Sequence, residues 1–142
     1  MSEIWIYPIK GCKGFKVNDA KVTPRGFEFD RLFMLVHGDN EIKKFISQRT
    51  NPKMALIHTA IDYTKAEVAV SAAGIEASLV IPCHAPADQT ATPTMASVWG
   101  QECEVLDQGD AASKWFSDFL GCPNIRMVCV CVCVCVKGGC FF

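Results

Sequence analysis

Short runs rich in β-branched and aromatic residues, each closed by a glycine or proline signal, recur every 8 to 12 residues or so along most of this sequence. Ile4 to Ile9, Lys16 to Thr23, Arg31 to Val36, Lys43 to Arg49, Met54 to Asp62, Glu67 to Ala72 and Ile75 to Ile81 read as strands. Thr94 to Trp99 and Glu102 to Asp107 continue the series beyond a looser Pro82 to Pro93 stretch. Gly38-Asp39-Asn40 reads as a turn and Ala73-Gly74 as a hairpin tip. This spacing belongs to a barrel or sandwich.

One segment follows a different period. Ala112, Trp115, Phe116, Phe119 and Leu120 fall at i, i+3, i+4, i+7 and i+8, the apolar stripe of a helix, with Lys114, Ser117 and Asp118 facing away. Gly109 or Asp110 can cap its start, Gly121 supplies a left-handed stop, and Pro123 prevents continuation. The expected fold is mainly β: a small antiparallel barrel with one amphipathic helix near the C-terminal end, from about Asp110 to Leu120, α+β overall.

At 142 residues there is one core, and a charged fraction of 20% with net charge −1 excludes a disordered tail or a strongly basic nucleic-acid binder. The sign is unevenly spread, however. Residues 1 to 53 hold ten Lys or Arg against six Asp or Glu, while residues 54 to 142 hold four against nine. A basic half built from strands and tight turns can hold an anion, although a solvated charged face explains the same pattern. The chain opens on strand-like sequence rather than a cationic leader, and its longest apolar stretch, Met127 to Val136, is half the ~20 residues that cross a bilayer. With four scattered thiols, an intracellular reducing compartment is expected, the cytoplasm first.

Ordered motifs add specificity. Tyr7-Pro8-Ile9-Lys10-Gly11-Cys12-Lys13-Gly14 is followed by Thr23-Pro24-Arg25-Gly26-Phe27, then by Phe29-Asp30-Arg31-Leu32-Phe33-Met34-Leu35-Val36, then by Ser47-Gln48-Arg49 with Pro52. A later block runs from Val98-Trp99-Gly100 through Gly109-Asp110-Ala111-Ala112 and Trp115-Phe116 to Leu120-Gly121. In this order they resemble the N-terminal β-barrel domain of MOSC proteins, the family named for the C-terminal domain of molybdenum-cofactor sulfurase, which also includes amidoxime-reducing members. The resemblance covers about residues 3 to 128.

That resemblance implies a molybdenum cofactor (molybdopterin), with Lys10, Gly11 and Arg31 lining the edge of its site. Lys and Arg suit the cofactor phosphate because they make charge-assisted bonds to it. Family members often carry serine where this chain has Gly11, so a hydroxyl contact is lost while a backbone N–H remains. Read without the resemblance, Lys10 is an ordinary surface lysine and Arg31 beside Asp30 a surface ion pair worth little. Arg49 reads as support for the barrel rim, and Trp5, Tyr7, Trp99, Trp115 and Phe116 as core.

Other chemistry is not signalled. The sequence has no Gly-x-Gly-x-x-Gly, Walker loop, Gly-x-Ser-x-Gly or His-Glu-x-x-His, so no catalytic residue is assigned. No metal site is assigned either, since Cys83 and His84 are strand neighbours that point to opposite faces.

Five of the nine cysteines lie in the last 14 residues, four of them in the alternation Cys129-Val130-Cys131-Val132-Cys133-Val134-Cys135-Val136. A TG dinucleotide repeat in DNA translates as Cys-Val-Cys-Val, so residues 129 to 142 are expected to be translated repeat sequence, outside a domain of residues 1 to 128. The alternative is a thiolate site for soft metals. The family places the molybdenum-ligating cysteine in the MOSC domain that follows the barrel. The expectation is therefore the N-terminal half of an oxidoreductase or sulfur carrier, inactive by itself, partnered by that domain in cis and by electron-transfer proteins in a full-length relative, with no nucleic-acid partner. The alternative is a non-enzymatic barrel that binds a protein partner.

Overall fold

Phe33-Met34-Leu35-Val36 is buried on both faces, at 0 to 1% exposure, because the strand that carries it separates two cores. The computed structural model describes residues 3–24, 26–39, 41–83 and 94–129. Its elements in chain order are β1 (Ile4–Ile6), β2 (Phe15–Val17), β3 (Val22–Thr23), β4 (Gly26–Phe27), β5 (Phe33–His37), β6 (Ile42–Phe45), a 3₁₀ turn (Pro52–Leu56), β7 (His58–Asp62), β8 (Glu67–Ala72), β9 (Ile75–Pro82), β10 (Thr94–Val98), β11 (Gln101–Asp107), α1 (Asp110–Leu120) and β12 (Ile125–Cys129).

Five strands close a barrel in the order β10-β11-β12-β5-β6. Every pairing in it is antiparallel except the closing one, where Met95, Ala96 and Ser97 run parallel to Ile42, Lys43 and Lys44. Side chains alternate across each strand, so Met34 and Val36 of β5, Ala96 and Val98 of β10, Cys103 and Val105 of β11 and Val128 of β12 fill the interior, with Phe45 packed against them. The opposite faces of β5 and β12 present Phe33, Leu35, Ile125, Met127 and Cys129 to a second core, shared with α1 and a meander of β7, β8 and β9. Burial of each such large side chain contributes about 1.5–3 kcal/mol.

The helix has the expected bounds and stripe. Its end at Gly121 is left-handed (φ +68°), and its start at Gly109 (φ +103°) is held by an N–H donated to Asp107 Oδ1 at 2.7 Å. The Trp115 indole donates to the Ala77 carbonyl of β9 at 2.8 Å, fastening the helix to the meander. Ser117, expected to face solvent, is half-buried because its hydroxyl accepts the Ile125 N–H at 3.0 Å.

Several strands are shorter than expected. Lys16 to Thr23 divides into β2 and β3, and Met54 to Asp62 begins with the 3₁₀ turn, where Pro52 favours a helical start and Met54 is fully buried. At the other end β12 runs through Cys129, which pairs with Phe33 and Leu106 and is 2% exposed. The Cys-Val alternation from Val130 onward lies outside the described residues, as does His84. Among the described residues Cys12, Cys83, Cys103, Cys122 and Cys129 form no disulfide. No helix among the described residues is long and apolar enough to cross a membrane.

Candidate functional site

The segment after β1 runs parallel to the start of β5 and ties together stretches more than twenty residues apart. Arg31 N–H donates to the Tyr7 carbonyl at 2.7 Å, Phe33 N–H to the Pro8 carbonyl at 3.0 Å, and Lys10 N–H to the Phe33 carbonyl at 2.9 Å. Ile9 bridges Phe33 between them and is fully buried. This pairing brings Lys10 and Arg31 to one rim.

The rim's electrostatics follow from that placement. Burial, and secondarily the Arg31 charge, hold the Lys10 ammonium below its ordinary pKa of 10.5. Lys10 Nζ sits 4.8 Å from the centre of the Phe45 ring, a cation–π contact at the barrel mouth. Arg31 lies with its guanidinium 5.9 Å from the Tyr7 ring centre and 2.5 Å from Asp30 Oδ2. Asp30 Oδ1 accepts the Tyr7 N–H at 2.8 Å, so one carboxylate orients both the strand and the arginine. Phe29 and Arg31 both adopt left-handed backbone, at φ +65° and +51°, which marks a tightly determined corner.

Gly11 follows directly, with φ +87°. Its carbonyl accepts a hydrogen bond from the Gln48 side-chain amide at 2.6 Å. A Cβ at this position would lie 2.8 Å from Met54 Cε, so glycine serves both the backbone angle and the packing. Cys12 points into the core; burial pushes its thiol up to about 12, leaving it protonated at neutral pH and unsuited to attack or ligation.

A separate concavity of about 660 Å³ is lined by Lys16, Asn18, Asp19, Lys21, Glu28 and Tyr63, among others. Its lysines are matched by Asp19 and Glu28 on its own walls, and Lys16 also pairs with Glu3 at 2.8 Å. Among the described residues the rim sets the Lys10 and Arg31 charges beside the Asp30 carboxylate. Among the described residues no group of three or more His, Cys, Asp or Glu side chains could hold a metal ion.

Two aromatic assignments change. Trp99 is 72% exposed and Trp5 43% exposed, so neither is core, whereas Trp115 and Phe116 are. Trp99 sits in the turn that follows β10, which ends at Val98, and the Trp5 indole points out of β1 to donate to Glu3 Oε2 at 3.2 Å. Tyr7 is half-buried beneath Arg31. Sequence reasoning missed the parts played by Asp30, Phe45 and Gln48. The Asp-Arg and Ser-Gln-Arg motifs contained two of these, but no local pattern shows that Gln48 reaches Gly11 across 37 residues.

The sequence profile of the MOSC N-terminal beta barrel domain matches residues 1–123. The chain belongs to this family. Relatives include a molybdenum cofactor sulfurase from Danio rerio, 31% identical over 124 residues, and mitochondrial amidoxime-reducing component 1 from Mus musculus, 33% identical over 133 residues. The matches cover 87% and 90% of this chain but only 14% and 36% of those proteins. Among solved structures, the solution structure of a Bordetella bronchiseptica protein superposes with a TM-score of 0.65, covering 92% of this chain and 91% of that one. At 20% identity that likeness shows a shared fold alone.

Proposed function

We propose that this domain forms one wall of a molybdenum-cofactor cleft, with Lys10 and Arg31 holding the anionic end of the cofactor and the Gly11 backbone lying against it. The observation that carries this reading is the parallel pairing of Tyr7–Lys10 with Arg31–Phe33, which sets two cations on one rim beside the Asp30 carboxylate. The donor set fits a phosphate: an arginine offers a planar fork and a lysine a compact charge. Molybdenum itself supplies redox or sulfur-transfer chemistry when the cofactor is bound, and its ligand belongs to the MOSC domain that accompanies this barrel in relatives.

On this reading Asp30 positions Arg31, Phe45 supports Lys10, and Gln48 holds the Gly11 turn. On the same reading the domain spans about residues 1 to 128, and the Cys-Val alternation, whose first cysteine completes β12, derives from repeat DNA. The 142 residues alone retain molybdopterin weakly and turn over no substrate; about one molybdenum per purified chain would contradict this. Sequencing the transcript tests the repeat, since an expressed messenger encoding the tail in frame would overturn its artefactual origin.

Inorganic phosphate tests the rim directly. Amide resonances of Lys10, Gly11 and Arg31 are expected to shift on phosphate titration, and Lys10→Met with Arg31→Met to abolish the shift while the far-ultraviolet spectrum stays unchanged. Equal phosphate binding by the double variant would refute the assignment.

A further inference from the structure

Trp99 and Gly100 form the two-residue turn between β10 and β11, since Val98 pairs with Gln101 across it. Their φ angles are +51° and +79°, the left-handed pair for which Asn-Gly is the favoured sequence. A bulky L-residue is strained at the first of these positions, and at 72% exposure the indole recovers little of that strain through burial. Stability therefore does not account for tryptophan here.

Position does. The Trp99 ring lies 6.2 Å from the Phe45 ring at 59° between planes, and Phe45 carries the Lys10 ammonium 4.8 Å from its centre. Lys10 in turn feels the Arg31 charge. The barrel mouth thus passes from two cations, through Phe45, to an outward indole within a few side-chain contacts. The tilted contact with Phe45 restrains the indole in advance, which lowers the ordering cost of stacking a ligand on it.

We propose that Trp99 is a stacking platform for the planar heterocycle of a ligand whose phosphate meets Lys10 and Arg31. The ligand class is a phosphorylated fused-ring heterocycle, and the inference rests on the reading of the Lys10–Arg31 rim as an anion site. The cations read charge and the indole reads a flat π system, so together they discriminate such a ligand from free phosphate and from sugar phosphates.

Calorimetric titration of the full chain with flavin mononucleotide and with ribose 5-phosphate tests this, because both carry a phosphate monoester and only the first carries a fused aromatic ring. The unaltered chain is expected to bind flavin mononucleotide about tenfold or more tightly, the range that aromatic stacking supplies. Trp99→Asn should remove that preference, leave ribose 5-phosphate affinity unchanged and raise the melting temperature, because Asn-Gly suits the turn. Trp99→Phe should keep most of the preference. A flavin preference that survives Trp99→Asn, no preference in the unaltered chain, or a lowered melting temperature in Trp99→Asn would each overturn the stacking role. Ribose 5-phosphate affinity that ignores Lys10→Met and Arg31→Met would instead sink the anion site on which it rests.

Discussion

Gln48 donates its side-chain amide to the carbonyl of Gly11 at 2.6 Å, linking the turn beside Lys10 to the segment that follows β6. This contact places the loop without touching either cation. Because the pair is solvent-exposed, its net worth is about 1 kcal/mol or less. Gln48→Ala is therefore expected to lower stability by that amount in urea unfolding, with an unchanged slope, and to weaken phosphate binding severalfold. Phosphate affinity equal to that of the unaltered chain would show that the Gly11 turn holds its shape unaided.

Gly11→Ser places a side chain on the turn beside Lys10. Here it meets φ +87° and a Cβ position 2.8 Å from Met54 Cε. The left-handed backbone alone costs about 1–2 kcal/mol for an L-residue. The variant is expected to be destabilised by roughly that much in thermal or urea unfolding, Met54 swinging aside at its flexible end. A neutral or stabilising effect would mean that the turn adopts a different backbone when serine is present.

The proposed anion site at Lys10 carries a definite pH dependence. In the free protein its pKa lies below 10.5, and a bound phosphate raises it by adding negative charge. Affinity is therefore full below the free-state pKa and falls as pH rises through the interval up to the bound-state pKa. Phosphate titrations across alkaline pH should show this loss beginning below 10.5, and Lys10→Arg should delay it. An identical profile in Lys10→Arg would remove Lys10 from the site.

Arg126 of β12 forks onto Asp107, Nε to Oδ2 and Nη2 to Oδ1, both at 2.6 Å, and reaches Asp110 at 2.9 Å. Its side chain is 21% exposed and that of Asp107 24%, so solvent screens the fork only partly. Asp107→Asn is expected to cost about 1–3 kcal/mol in urea unfolding. Asp110→Asn should cost much less, because that carboxylate is 97% exposed. Equal effects of the two substitutions would contradict the geometry.

The sequence by itself determined the local elements. Ala112, Trp115, Phe116 and Leu120 specify the helix, Gly109 and Gly121 bound it, and the run Arg31 to Val36 reads as a strand, since each follows from periodicity and backbone sterics over a few residues. The ordered motifs from Tyr7 to Arg49 carry the family resemblance, and through it the expectation for Lys10, Gly11 and Arg31. The tertiary structure decided what no local pattern encodes: that β6 closes the barrel in parallel with β10, that Gln48 reaches Gly11, and that Trp99 stands out in solvent beside Phe45. These depend on contacts between distant segments, where chain closure and side-chain packing, rather than the preferences of neighbouring residues, select one arrangement.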